Sequence, residues 1–382
     1  MAYEKVVDAD GHVIEPADLW ETYLEPQYRP RAIRIVEDDA GFEELRIDGR
    51  RHRAFAKGVL AAELCSIGQD PETMLIPGRL SYRRDCPAGG YDPQARLKVM
   101  DAEGIDVAVL YPTIGITWEG HVDDPALAAA YCRAYNNWLH DFCRACPERL
   151  IPIAHISLLD VEAAIAELRR AAKLGMRGVF IRADRIGDRP HAHPDFDPFW
   201  AEAQELDMPI SLHVVTREHT LVNPWYVKRD LSKTPLDNFF FAFAFFSLDV
   251  VVAFTSMMAR GLFERFPRLK VVILEAGGGW IAHWLERMDH RFELGRTVTP
   301  LKMRPSEYFQ RQCWISVEPD ERTTRAMVEL VGEDRFLWAS DYPHPDAHFG
   351  VVEELRRNLQ GLSATAQRKI LGENAARLYR LM

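Results

Sequence analysis

Residues 6–12 read VVDADGH, an apolar start followed by Asp8, Asp10 and His12 at intervals of two. Side chains at i, i+2 and i+4 of an extended strand point to one face, so this spacing predicts three polar groups gathered where a strand stops. Two acids and an imidazole crowded together are costly unless a cation or hydrogen-bond donors lie among them. A divalent metal meets that need. So does a turn whose aspartates bond nearby backbone amides, and this stretch alone leaves both open. It also bears on the fold, because no Gly-rich phosphate loop follows it, as it would in the alternative, an open doubly wound sheet.

Working outward, short apolar runs alternate with amphipathic stretches almost to the end. After KVVDADGH (5–12) come VAVLYP (107–112), LIPIAHISL (150–158), GVFIRA (178–183), PISLHVV (209–215), KVVILEAG (270–277), QCWISVE (312–318) and FLWASDYPH (336–344). Most are apolar on both faces, as strands covered on both sides require. Helical patterns lie between them at 92–104, 123–147, 161–175, 196–207, 236–266, 279–293 and 321–334, with more after 350. The alternation predicts an α/β protein, a (β/α)8 TIM barrel forming one domain over 1–382. Residues 25–91 break the rhythm. They are read as an insertion after the first strand that roofs part of the site, with a hairpin turning at Asp48–Gly49.

The chain of 382 residues carries 47 basic and 57 acidic side chains, a net charge of −10 that disfavours a nucleic-acid or anionic-membrane surface. Its six cysteines are too few for a disulfide framework at this length. Cys143 and Cys146 have redox spacing but no second pair to answer them, and are read as structural. No signal-peptide pattern opens the chain, so a cytoplasmic location is the expectation. Residues 239–258 are apolar enough to span a bilayer, but Asp249 would be costly in lipid. A buried helix, or one at an oligomer interface, is expected instead.

In a barrel of this kind chemistry sits at the C-terminal strand ends. Asp10 and His12 end the first strand, His213 the fifth, Glu275 the sixth and Asp341 the eighth, with His344 just beyond. This mixed nitrogen and oxygen set suits Zn, Mn or Fe. Arg182, ending the fourth strand, is a candidate binder of a substrate carboxylate.

On DADGH, LHV, FPRLKVVILEAGGGW with LERMD, and WASDYPHPD, nearly the whole chain resembles the amidohydrolase-related family. The likeness is to the branch with aminocarboxymuconate-semialdehyde and resorcylate-type decarboxylases. The resemblance implies a metal held by Asp10, His12, His213 and Asp341, one ion rather than two, and a homodimer acting on a small molecule. It implies a hydrolase or decarboxylase of a small acid, amide or aromatic acid. The catalytic candidates are Asp341, Glu275 and His213, with Asp341 or Glu275 as the proton carrier; Arg182, Arg287 and His193 are the substrate-binding candidates. Asp10 stands where the family usually has His or Glu. Glu275 stands where many relatives carry a His, and is either a base or a further ligand. Counting Glu275 and His344 as ligands leaves a dinuclear iron or iron–manganese oxygenase as the alternative. A catalytically inactive partner subunit is the remaining one. Asp8 is expected to support the site, His155 to be a core histidine, and His191 to stand at the pocket mouth or in solvent. Loops 184–195 and 216–235 and the insertion are expected to shape the substrate pocket.

Overall fold

The computed structural model describes residues 5–52, 55–214 and 235–382. The chain is α/β, as expected. Its strands are β1 (Val7–His12), β2 (Arg34–Glu37), β3 (Glu43–Ile47), β4 (Arg50–Arg51), β5 (Val107–Tyr111), β6 (Leu150–Pro152), β7 (Ala154–His155), β8 (Val179–Arg182), β9 (Ile210–His213), β10 (Val271–Ile273), β11 (Cys313–Val317) and β12 (Phe336–Trp338). Parallel pairing runs β1–β5–β6 and β7–β8–β9–β10–β11–β12. The third strand expected from the sequence is thus two pieces that change neighbour at Ile153. The Ile153 N–H donates to Leu110 O (3.2 Å), and the Ala154 N–H donates to Gly178 O (3.0 Å). Beyond β12, the Asp341 N–H donates to Asp10 O (3.0 Å) and the His12 N–H to Tyr342 O (2.8 Å), which ties the last strand's exit to the first strand.

Alternate strand residues serve two separate cores. Val7, Val107, Val109, Ile151, Phe180, Val272 and Leu337 pack together on one side. Ala108, Leu110, Val179, Ile181, Ile210, Leu212, Ile315 and Trp338 pack into a larger cluster against the surrounding helices. That is why both faces of these strands are apolar. Tyr379, near the C-terminus, joins the first core and bonds Tyr111 through their hydroxyls (2.9 Å). Three of the flanking helices begin on an aspartate cap: Asp92, Asp124 and Asp160 each accept a bond from a backbone amide of the first turn.

The 25–91 segment holds an antiparallel sheet of β2, β3 and β4. Asp48 (φ +50°) and Gly49 (φ +76°) form its turn, both left-handed as the tight hairpin connection requires. A disulfide joins Cys65 to Cys86 in the same segment. Single-sequence cysteine counting did not reveal this bridge, since one pair among six makes no framework. Just past Cys65, the Ile67 N–H donates to Pro343 O (3.3 Å) and its side chain packs on Tyr342, so the bridged segment rests on the loop after β12. A C65S/C86S double variant is expected to lose about 2–4 kcal/mol of unfolding free energy. Denaturant melts with and without reductant check this: reductant should destabilise the native chain and leave the variant unmoved. Among the described residues no helix is long and apolar enough to cross a membrane. The long apolar stretch forms the Pro235–Ala259 helix.

Candidate metal centre

The strand β1 contains a bulge: Asp8 pairs with Ala108, but Gly11 already pairs with Leu110. Two residues of β1 therefore face one of β5, and the simple alternation breaks. Asp8 is turned away from Asp10 and His12, which corrects the expectation that all three share a face. Asp8 Oδ1 accepts from Ser340 N (3.0 Å) and Asp10 N (3.2 Å), and its Oδ2 accepts from Ser340 Oγ (2.6 Å). It thereby supports the site by fastening β1 to the loop that carries Asp341.

His12 and His213 meet across the strand ends. The Nδ1 of His12 bonds Pro112 O (2.9 Å) and that of His213 bonds Val214 O (2.8 Å). A carbonyl accepts only, so each Nδ1 carries a proton and each ring turns its Nε2 inward, a lone pair whenever that ring is neutral. Those two Nε2 atoms lie 3.3 Å apart. Around them stand Asp341 Oδ1 (3.2 Å from His12), Glu275 Oε2 (3.0 Å from His213) and Asp10 Oδ1 (3.6 and 3.7 Å from the two rings). Both oxygens of Asp10, Oε2 of Glu275 and Oδ2 of Asp341 are buried with no hydrogen-bond donor. Facing lone pairs ringed by bare carboxylate oxygens fit a divalent cation and little else.

The electrostatics agree. Burial pushes the Asp10 carboxyl well up, and burial followed by the Glu275 charge does the same to Asp341. Burial, then His344 and His213, holds His12 well below the ordinary imidazole range. Burial also opposes charge on His213, but Asp10 and Glu275 outweigh it and push that imidazole up to about 9. A metal ion would take the place of that proton.

Neither Glu275 nor Asp341 lies on its strand. Strand β10 stops at Ile273 and β12 at Trp338. Both acids follow on left-handed backbone, with φ of +48° and +53°. Non-glycine residues rarely adopt it, and it marks sites where chain direction serves a side chain. His344 reaches the cluster, but both its nitrogens are engaged: Nδ1 with Asp341 Oδ1 (2.8 Å) and Nε2 with Thr113 Oγ1 (2.9 Å).

A model of the amidohydrolase family matches residues 7–381. The chain belongs to that family. Its relatives include the gamma-resorcylate decarboxylase of Rhizobium sp. (strain MTP-10005), 27% identical over 337 residues, which cover 81% of this chain and 95% of that one. Another is the 2-amino-3-carboxymuconate-6-semialdehyde decarboxylase of Dictyostelium discoideum, 25% identical over 308 residues, covering 79% and 80% of the two chains. Among solved structures, an amidohydrolase of Mycobacterium avium subsp. paratuberculosis K-10 superposes with a TM-score of 0.81 at 23% identity, covering 99% of this chain and 100% of that one. A dihydroxybenzoic acid decarboxylase of Polaromonas sp. JS666, with bound manganese and 2-nitroresorcinol, gives 0.67 at 18% identity and covers 99% and 98%.

The other sequence candidates of this amidohydrolase fall in different places. Arg182 is the register partner of His213 and pairs with Asp184. It lines a cavity of about 360 Å³ with Glu119, His121, Asp123 and Arg185. His191 is buried and bonds Arg182 O (2.8 Å), so it is neither in solvent nor a ligand. His193 accepts from Asp195 N (3.3 Å) as a turn cap and adds no atom to the cluster. Arg287 lines a separate apolar cavity with Met258, Trp284 and Phe292. His155 is buried, as expected of a core histidine, with Nε2 on Glu119 (2.7 Å). Of the loops expected to shape the pocket, 215–234 lies outside the described residues.

Sequence reading missed Glu15. Its carboxylate is buried and accepts from the amides of Thr113 (3.2 Å), Ile114 (2.8 Å) and Gly115 (3.0 Å), holding the β5 exit that carries Thr113. Burial pushes this carboxyl up to about 7 against the pull of those amides. Nothing in HVIEP (12–16) announces partners a hundred residues away.

Proposed function

We propose that this chain is a divalent-metal-dependent decarboxylase of a small aromatic acid, built on a closed (β/α)8 barrel that residues 25–91 partly roof. The observation that carries the metal is the pair of inward Nε2 atoms 3.3 Å apart, ringed by carboxylate oxygens that have no donor. The ligands are Asp10, His12, His213 and Asp341, with Glu275 beside them. Decarboxylation is favoured over hydrolysis by the activities named for both curated relatives. Manganese is favoured by the ion named in the Polaromonas structure. Barrel closure is supported by the two backbone bonds joining β1 to the β12 exit and by the two alternating cores.

When bound, the metal supplies a Lewis acid toward a substrate oxygen. The residues do the rest. Arg182, whose Nε is buried without an acceptor, offers a donor to the substrate's carboxylate or phenol from the cavity wall. The Asp341–His344 pair holds the proton that replaces carbon dioxide on the ring carbon. Thr113 fixes the ring of His344 through its other nitrogen.

Carbon dioxide release from a panel of hydroxybenzoates, with manganese-loaded and chelator-treated enzyme, tests the proposal. Metal-dependent release from at least one substrate is expected. Turnover confined to esters or amides would move the reading to hydrolysis, and activity indifferent to chelation would end it.

A further inference from the structure

We infer that Glu119 accepts a hydrogen bond from a ring hydroxyl of the substrate, and that His155 is the residue that positions it. This rests on the decarboxylase reading above and names the kind of aromatic acid it takes, one with a hydroxyl to spare for the cavity wall.

Glu119 stands in the wall of the same cavity of about 360 Å³ as Arg182. It is only 6% exposed, and its Oε1 accepts from His155 Nε2 (2.7 Å). Among the described residues His155 is its only hydrogen-bond partner. A carboxylate has about four lone-pair sites, so acceptor capacity is left over where the side chain meets the cavity. An imidazole–carboxylate pair that served packing alone would repay little of its desolvation. Here the acid end opens on the space proposed for the substrate.

The pair is also held still. Glu119 follows β5 on two short helical turns, Gly115–Trp118 and Glu119–His121. Glu15 clamps the start of that stretch, and His52 Nε2 bonds Thr117 O (3.1 Å) within it. Asn136 fixes the backbone of His155, accepting from its N–H (2.8 Å) and donating to its carbonyl (3.0 Å). The His155 ring lies against Trp118 at 5.0 Å and Phe180 at 4.7 Å, and Phe180 meets His213 at 5.7 Å. One aromatic ring thus separates the pair from a proposed metal ligand. Arg182 follows Phe180 by two residues on β8, which puts it on the same strand face.

The wall offers one donor and one acceptor. Arg182 has an Nε with no acceptor, and Glu119 has oxygen to spare. An acid bonded to Arg182 through its carboxylate or phenol and to Glu119 through a further hydroxyl satisfies both. An ammonium group fits less well, because Arg182 and Arg185 share that wall.

Initial rates of carbon dioxide release by the manganese-loaded full chain test this. The substrates are each dihydroxybenzoate with one hydroxyl ortho to the carboxyl, and the methyl ether of its other hydroxyl. A hydroxyl bonded to a carboxylate is worth about 10–100-fold, so native kcat/KM for at least one diol is expected to exceed that for its ether by this factor. E119Q is expected to abolish or reverse the ratio, because His155 holds the amide oxygen and turns the amide nitrogen toward the cavity. H155F is expected to lower the ratio about tenfold by freeing Glu119. H155Q, whose amide N–H can stand in for Nε2, is expected to restore most of it. A role in folding alone would slow both members of a pair alike and leave the ratio where it stood. A native ratio near one for every pair would overturn the inference, and so would a ratio that E119Q or H155F leaves unchanged; the decarboxylase reading would survive either. Release from other hydroxybenzoates but from none of these diols would also overturn the inference alone. Release from no hydroxybenzoate would overturn both.

Discussion

D341N is expected to lower kcat by about 10²–10⁴-fold while leaving the fold intact. The substitution is nearly isosteric, and Asn tolerates the left-handed backbone that residue 341 adopts (φ +53°), so no strain is added. The backbone bond from residue 341 to Asp10 O also survives, because it uses the main chain. What changes is the charge. The amide cannot take a proton from His344 Nδ1 and pass it on, and it is a poor ligand where a carboxylate oxygen faces His12 at 3.2 Å. Steady-state kinetics should therefore show the loss mainly in kcat, with thermal melts within a few degrees of the native chain. Metal content should be measured on the same samples, since it separates the two roles. Full metal with lost turnover places the fault in proton delivery; lost metal places it in ligation. Native turnover would remove Asp341 from the chemistry altogether.

The contrast between what could and could not be read from the chain follows from distance along it. Strand positions were legible because both faces of β5, β10 and β12 are apolar, and that is a local signal. The polar strand ends were legible as a set for the same reason. Asp8 was misplaced because a bulge leaves no mark in a single sequence: VVDADGH scans as regular alternation, and only its pairing with β5 reveals the extra residue. The left-handed turns at Glu275 and Asp341 were equally hidden, since neither position is glycine. Nothing local marks Ser340, beside Asp341, as the partner that bonds Asp8 across 332 residues of chain. Arg182 was legible as a cation near the site. Its pairing with Asp184, two residues on, leaves the cavity wall less positive than a free arginine would.

Gly11 exposes how strictly that hidden network is built, and G11A is the second large effect expected. Its φ is not left-handed, so alanine brings no backbone penalty; the cost is purely steric. A Cβ there would lie 2.5 Å from Arg96 Nη2 and 2.7 Å from Asp8 Oδ2. Neither atom is free to swing away. Arg96 is buried, donates from Nη1 to His12 O (2.6 Å) and lies over the Tyr342 ring at 4.6 Å. Asp8 is held by Ser340 through both oxygens. The added methyl must therefore shift β1 itself, between its two proposed ligands Asp10 and His12. A loss of about 1–3 kcal/mol in unfolding free energy is expected for overpacking, with Mn²⁺ affinity about 10–100-fold weaker because the ligands lose their support. Denaturant melts of the metal-free protein and Mn²⁺ titrations measure the two separately. Adding R96M to G11A should recover part of the steric cost, and a double-mutant cycle gives the coupling. If G11A weakens the fold but binds Mn²⁺ as the native chain does, the Arg96–Asp8–Ser340 clasp serves stability alone. If both fall together and R96M restores neither, the methyl acts through β1 by some other contact than the one at Arg96.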